Sequence, residues 1–116
     1  MGLFKKLFAS DPESMRKKAD ALFDAGDYGP AKLAYEKAAE AAPKNAQLHH
    51  DYATAVGQAG REAQAVQAAR TAARLEPRNI DYQAQLADLL LRQGDVEGAA
   101  EAAARLSGLG RIEHPA

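Results

Sequence analysis

Apolar residues return along this chain every three or four positions with polar and charged residues between them, which lays one apolar stripe along each of a series of short helices. The large members of the stripes are Leu22, Phe23, Leu33, Tyr35, Tyr52, Val56, Val66, Leu75, Leu86, Leu89, Leu90 and Leu106. No strand pattern competes. Together with its breaks, the pattern predicts an all-α fold of six helices over 12–25, 28–41, 46–59, 62–75, 80–93 and 96–107.

The breaks recur with a period of 34 residues. Gly26, Gly60 and Gly94 keep that spacing, as do Ala19, Ala53 and Ala87, then Ala31, Ala65 and Ala99, and the capping-type residues Asp11, Asn45 and Asn79. Pro43 and Pro77 form a fifth series, and the repetition ends at Arg111. A fixed period of this length is the signature of stacked supersecondary units.

Each marker has a mechanical role. Asp11, Asn45 and Asn79 offer short side-chain acceptors to the free amides of a helix start, and Pro12 sits where a missing N–H costs nothing. Each glycine falls where one helix must turn into the next, in a left-handed conformation that glycine adopts cheaply. Asp27 and Asp95 follow two of the glycines and are expected to cap the second helices, with Pro30 tolerated in a first turn. Pro43 and Pro77 stop the second helices by forcing the preceding residue out of helical geometry.

Composition narrows the function classes. Of 116 residues 28 are alanine and only 6% are aromatic, so the core is thin and relies on close helix contact. Basic and acidic residues number 15 and 16, a balance that gives no steering toward phosphate backbones and argues against nucleic acid as a partner. The absence of cysteine removes disulfides and thiolate metal sites and fits a reducing cytoplasm. No apolar run approaches the roughly 20 residues of a membrane span.

Catalytic constellations are missing. His49 and His50 are adjacent, so their side chains diverge by about 100° on a helix and cannot share a metal as an i, i+4 pair could. Ser10, Ser14 and Ser107 lie near element ends outside any nucleophile-elbow sequence, and the glycines mark repeat turns rather than a phosphate loop. Asp24 and Asp27 read as helix-end residues. The expectation is a non-enzymatic chain that uses no cofactor and no metal.

The period and its markers resemble the tetratricopeptide repeat (TPR), a 34-residue antiparallel helix pair. Between Pro12 and Asn45, Ala19, Leu22, Gly26, Tyr28, Ala31, Tyr35, Ala38 and Pro43 match the motif in type and spacing. The second repeat keeps Tyr52, Ala53, Gly60, Ala65, Ala72 and Pro77 but places Glu62 and Ala69 where the motif prefers aromatics. The third keeps Leu86, Ala87, Leu90, Gly94 and Ala99 and departs at Ala103 and Arg111. The resemblance implies an α-solenoid of three antiparallel helix-turn-helix repeats with a right-handed superhelix, divided at 12–45, 46–79 and 80–110.

It also implies a function. Repeats of this family stack so that first helices line a concave groove that takes an extended or helical peptide. Carried over by offset, the groove positions are Glu13, Arg16, Asp20 and Phe23, then Gln47, His50 and Thr54, then Asp81, Ala84, Asp88 and Arg92. The surface leans acidic. One subset of the family clamps the terminal carboxylate of heat-shock chaperones with lysine and asparagine. Here the corresponding places resemble Arg16, Asp20, Asp51, Asp81 and Gln85, whose acids would repel a carboxylate.

Two segments lie outside the repeats. In residues 1–10, Leu3, Phe4, Leu7 and Phe8 fall on one helical face beside Lys5 and Lys6. Three destinations are open to this arm: capping the first repeat, shallow contact with an anionic membrane surface, or pairing with another copy. Residues 111–116 form a tail, and the glycines after Ser107 predict that the last helix stops there, leaving Leu109 and Ile112 or self-association to cover the final repeat. The expected function is a cytoplasmic protein-protein adaptor, peripheral at the inner face of a membrane if the arm inserts. The competing expectation is a scaffold that forms dimers or larger homo-oligomers through its uncapped ends and arm.

Overall fold

The computed structural model describes residues 11–113, which form six helices and no strand. They are α1 Pro12–Asp24, α2 Tyr28–Ala41, α3 Ala46–Gln58, α4 Glu62–Leu75, α5 Ile80–Gln93 and α6 Val96–Glu113. The first helix of each pair opens in the same way. The Ser14 amide donates to Asp11 Oδ1 at 2.7 Å, the Leu48 amide to Asn45 Oδ1 at 3.2 Å and the Tyr82 amide to Asn79 Oδ1 at 3.1 Å.

The three glycine turns are copies of one another. Gly26, Gly60 and Gly94 stand at φ 85°, 84° and 88°, where a Cβ would crowd the following carbonyl. Around each, two backbone bonds close the preceding helix: Asp27 N to Leu22 O at 2.8 Å with Gly26 N to Phe23 O at 2.9 Å, then Arg61 N to Val56 O at 2.9 Å with Gly60 N to Gly57 O at 3.1 Å. Asp95 N to Leu90 O at 2.9 Å and Gly94 N to Leu91 O at 3.1 Å complete the set. This double closure fixes the direction in which the second helix leaves. Asp95 then caps α6 as expected, accepting from the Gly98 amide at 2.9 Å. Asp27 does not cap α2 with its side chain; its ψ of 69° is almost that of Arg61, 68°, which has no acceptor to offer.

Small residues let the pairs cross closely. Ala19, Ala31, Ala53 and Ala65 are wholly buried, and each helix packs mainly on its neighbours in the chain. The larger core runs through the second and third repeats, where Val56, Leu86, Leu89 and Leu90 pack with Ala65, Ala69 and Ala72. A smaller cluster joins Ala19 and Tyr35 of the first repeat to Ala55 of the second, flanked by Phe23 and Tyr52. Alanine at 69, where the motif prefers an aromatic, is thus fully buried in the better-packed part of the chain.

Two further expectations fail. Leu33 is 56% exposed rather than part of an apolar stripe, and the equivalent Gln67 and Glu101 are exposed as well, so this position faces solvent in every repeat. The last helix does not stop at Ser107 but runs to Glu113, through Gly108 and Gly110 and past the expected boundary of the tail. Each helical glycine costs about 1 kcal/mol relative to alanine, while burying a leucine returns about 1.5–3 kcal/mol, and Leu109 is buried. The amphipathic arm Leu3, Phe4, Lys5, Lys6, Leu7 and Phe8 lies outside the described residues.

Candidate functional site

The first helices α1, α3 and α5 lie side by side and present a continuous polar face with two hollows. One, of about 350 Å³, is lined by Arg16, Asp20, Phe23, His50, Asp51 and Thr54 together with Tyr35 and Ala55. The next, of about 180 Å³, is lined from Ala53, Thr54, Gly57 and Gln58 on α3 and from Gln85, Asp88, Leu89 and Arg92 on α5. Thr54 belongs to both and forms the saddle between them.

Side chains tie one first helix to the next. Arg16 donates through Nη1 to Asp51 Oδ2 at 3.2 Å and to Asp20 Oδ2 at 3.5 Å, and through Nε to Glu13 Oε2 at 3.2 Å. Gln47 Nε2 donates to the other Asp51 oxygen at 2.8 Å, and the Tyr82 hydroxyl donates to Gln47 Oε1 at 3.1 Å. Gln85 Nε2 donates to the His50 carbonyl at 3.1 Å and to Thr54 Oγ1 at 2.9 Å, so its Oε1, 2.9 Å from His50 Nδ1, is the acceptor there. That contact makes His50 Nδ1 the donor.

The charges follow from this arrangement. Around the larger hollow three carboxylates, Glu13, Asp20 and Asp51, share one guanidinium, Arg16. Hydrogen bonding to Glu13 and Asp51 holds Arg16 firmly in its charged form, and the same contact lowers the Glu13 carboxyl below its usual range. Burial, with Asp20 as its hydrogen-bond acceptor, pushes the Tyr35 phenol up. At the smaller hollow Asp88 and Arg92 pair at 3.3 Å. The larger hollow is therefore net negative, and the pair at the smaller hollow is balanced.

Comparison with known proteins reads the same way. The model of the tetratricopeptide repeat matches residues 12–45. A TPR repeat-containing thioredoxin, TTL4 of Arabidopsis thaliana, is 31% identical over 90 residues, which is 78% of this chain and 13% of that protein. This chain is a TPR protein. MamA from Desulfovibrio magneticus RS-1, solved from residue 41 to its end, superposes with a TM-score of 0.83 at 24% identity over 95% of this chain and 62% of its own. The first TPR of Spaghetti (RPAP3), bound to the HSP90 peptide SRMEEVD, gives 0.77 at 21% identity over 85% of this chain and 79% of its own. This chain thus spans a small part of the curated relative and under two thirds of the MamA structure.

In TPR terms α1, α3 and α5 are the first helices, and they supply most of the lining of the two hollows, on the face expected to be concave. Of the residues expected there, Arg16, Asp20, Phe23, His50 and Thr54 meet in the larger hollow, and Thr54, Asp88 and Arg92 in the smaller. Glu13 and Gln47 join through their bonds to Arg16 and Asp51. Asp81 and Ala84 are exposed but line neither hollow. Asp51 and Gln85, expected at the clamp-equivalent places, line the larger and the smaller hollow; Tyr35 and Leu89, expected only as apolar-stripe residues, line them too, and Tyr82 holds Gln47. Among the described residues no three His, Asp or Glu side chains group as metal ligands, and no helix is long and apolar enough to cross a membrane.

Proposed function

We propose that this TPR chain works by binding, with no chemistry of its own, and that its concave face takes a basic segment of another protein. One observation carries the reading: two carboxylates, Asp20 and Asp51, line the larger hollow beside the aromatic side chains of Phe23 and Tyr35, and the one guanidinium there, Arg16, is shared with a third acid, Glu13. A lysine or arginine can lay its methylene stem on the aromatic side and its cation among the acids. The RPAP3 TPR of the same fold is bound to a peptide, SRMEEVD, that is rich in acid. The charge on this chain's groove favours the opposite polarity.

The test is a titration of fluorescent Lys-rich and Glu-rich peptides. Wild type should bind the Lys-rich peptide, and D20N/D88N, which keeps hydrogen-bond acceptors while removing charge, should bind it about tenfold more weakly. Equal affinity of the two proteins would contradict the reading.

A second reading, self-association, is favoured by one feature. The outer flank of the first repeat is a hollow of about 400 Å³ lined by Met15, Leu22, Pro30, Leu33 and Ala34 with Lys18 and Lys37. The arm of residues 1–10 or a second copy could cover it. If copies join there through the arm, deleting residues 1–10 yields a monomer; if the arm instead serves membrane recruitment, the oligomeric state is unchanged and sedimentation with anionic vesicles is lost.

A further inference from the structure

The convex face carries two crevices at equivalent places one repeat apart, and their charges are opposite. The first, about 380 Å³, lies where α2 and α4 flank α3 and is edged by Glu36, Glu40 and Thr71. The second, about 330 Å³, lies where α4 and α6 flank α5 and is edged by Arg70, Arg74 and Arg105. Each arginine stands 34 positions after its counterpart: Arg70 after Glu36, Arg74 after Glu40, Arg105 after Thr71. The floors correspond too, Ala39 and Tyr52 in one answering to Ala73 and Leu86 in the other.

The repeat architecture does not require this inversion, because both crevices hold the same fold. The acidic crevice is partly neutralised from within: Lys32 lies 3.4 Å from Glu36, and the Tyr52 hydroxyl donates to the same carboxylate at 2.9 Å. The basic one is neutralised less. Arg70 has a long pair with Asp95 at 3.9 Å, and among the described residues Arg74 and Arg105 make no ion pair. Three like charges with one distant counterion raise the local potential and attract an anion.

We infer that the Arg70–Arg74–Arg105 crevice is a second binding site, which takes an acidic peptide segment. Guanidinium forks match carboxylates two bonds at a time. Between them, buried Ala73 and Leu86 supply apolar surface for the methylene stem of a glutamate. Gln83, also on the wall, has its amide nitrogen tied to the Pro77 carbonyl at 3.1 Å and the Ala73 carbonyl at 3.4 Å, which fixes that side of the crevice. The space is several times that of one water-sized ion and suits a side chain with its adjoining backbone. This site is independent of the concave groove and has the opposite preference.

The experiment uses the full chain, a fluorescent Glu-rich peptide, its Lys-rich counterpart, and inorganic phosphate as competitor. Wild type is expected to bind the Glu-rich peptide, more weakly as salt rises. R74E/R105E should lose at least about tenfold in that affinity and keep its affinity for the Lys-rich peptide, which also reports that the variant is folded. A photo-crosslinkable Glu-rich peptide on unmodified protein should be captured by residues 70–77 and 102–106. Undiminished binding by R74E/R105E, capture on α1 or α3 instead, or full displacement by millimolar phosphate, which would mean a simple anion site, would each overturn the inference. Failure of the Lys-rich peptide to bind would count against the groove and leave this result intact.

Discussion

Arg16 on α1 donates to Asp51 on α3 at 3.2 Å, and the two are 35 positions apart, one repeat plus one residue. His50 with Gln85 and Gln47 with Tyr82 repeat the same offset between α3 and α5. The concave face is thus stitched by side chains that step one position along the motif as they cross between repeats. It is held in shape before any ligand arrives.

Removing Arg16 should loosen the first repeat more than the others. Arg16→Ala leaves Glu13, Asp20 and Asp51 facing one another, and the small cluster beneath, Ala19, Tyr35 and Ala55, has little in reserve. A loss of about 1–2 kcal/mol is expected for these partly exposed charged bonds. Urea unfolding gives the total, and amide exchange should quicken in α1 and α2 well before α5.

Two glycines three residues apart should respond in opposite directions to alanine. Gly60 stands at φ 84° with open space around it, so Gly60→Ala costs about 1–2 kcal/mol from backbone strain alone. Gly57 lies inside α3, where a Cβ would sit in ordinary contact, 3.5 Å from Leu89 Cδ2 and 3.6 Å from Ala65 Cβ. Gly57→Ala should stabilise by about 0.5–1 kcal/mol through helix preference. Thermal midpoints of the two variants should fall on either side of wild type.

High pH should erode the Tyr52 contact. Burial, with Glu36 as its acceptor, pushes the Tyr52 phenol up to about 12 from an ordinary value of 10.0. The folded chain therefore keeps a proton that the unfolded chain releases, so the contribution is complete below about pH 10 and drains away as pH rises toward 12. Tyr52→Phe removes both the bond and this dependence. Urea midpoints should favour wild type at pH 8, with the gap reduced by about half at pH 11 and closed near pH 12.

The second-helix caps should be unequal. Asp95→Ala removes the acceptor of the Gly98 amide and should cost about 1 kcal/mol. Asp27→Ala removes no cap bond and should fall within about 0.5 kcal/mol of wild type. Chemical denaturation of both variants checks the contrast.

That contrast shows where the sequence was legible. Glycine, proline and short polar residues at a fixed period placed the ends of the helices through α5 to within one residue, because each such residue has a local conformational reason to be there. Asp27 looked like a cap by type, yet the double backbone closure around Gly26 sets the start of α2 without help, as Arg61 at the same place shows. Leu33 looked like core by spacing; Gln67 and Glu101 at its equivalents carried the opposite signal, legible once the repeats were compared. The run of α6 to Glu113 depends on burying Leu109, a tertiary effect that outweighs local glycine preference. Arg16, Asp20, Phe23, His50 and Thr54, placed on one face by offset, do line one hollow, whereas the part of Tyr35 and Leu89 in the two hollows depends on how neighbouring helices meet.

The central claim is that the concave face, through its acidic surplus, receives a basic segment. Amide chemical-shift mapping of the unmodified chain with a Lys-rich peptide tests it most directly. The account predicts shifts concentrated at Asp20, Phe23, His50, Asp51 and Thr54, declining toward Asp88 and Arg92. Shifts confined to α2, α4 and α6, or none at millimolar peptide, would contradict it.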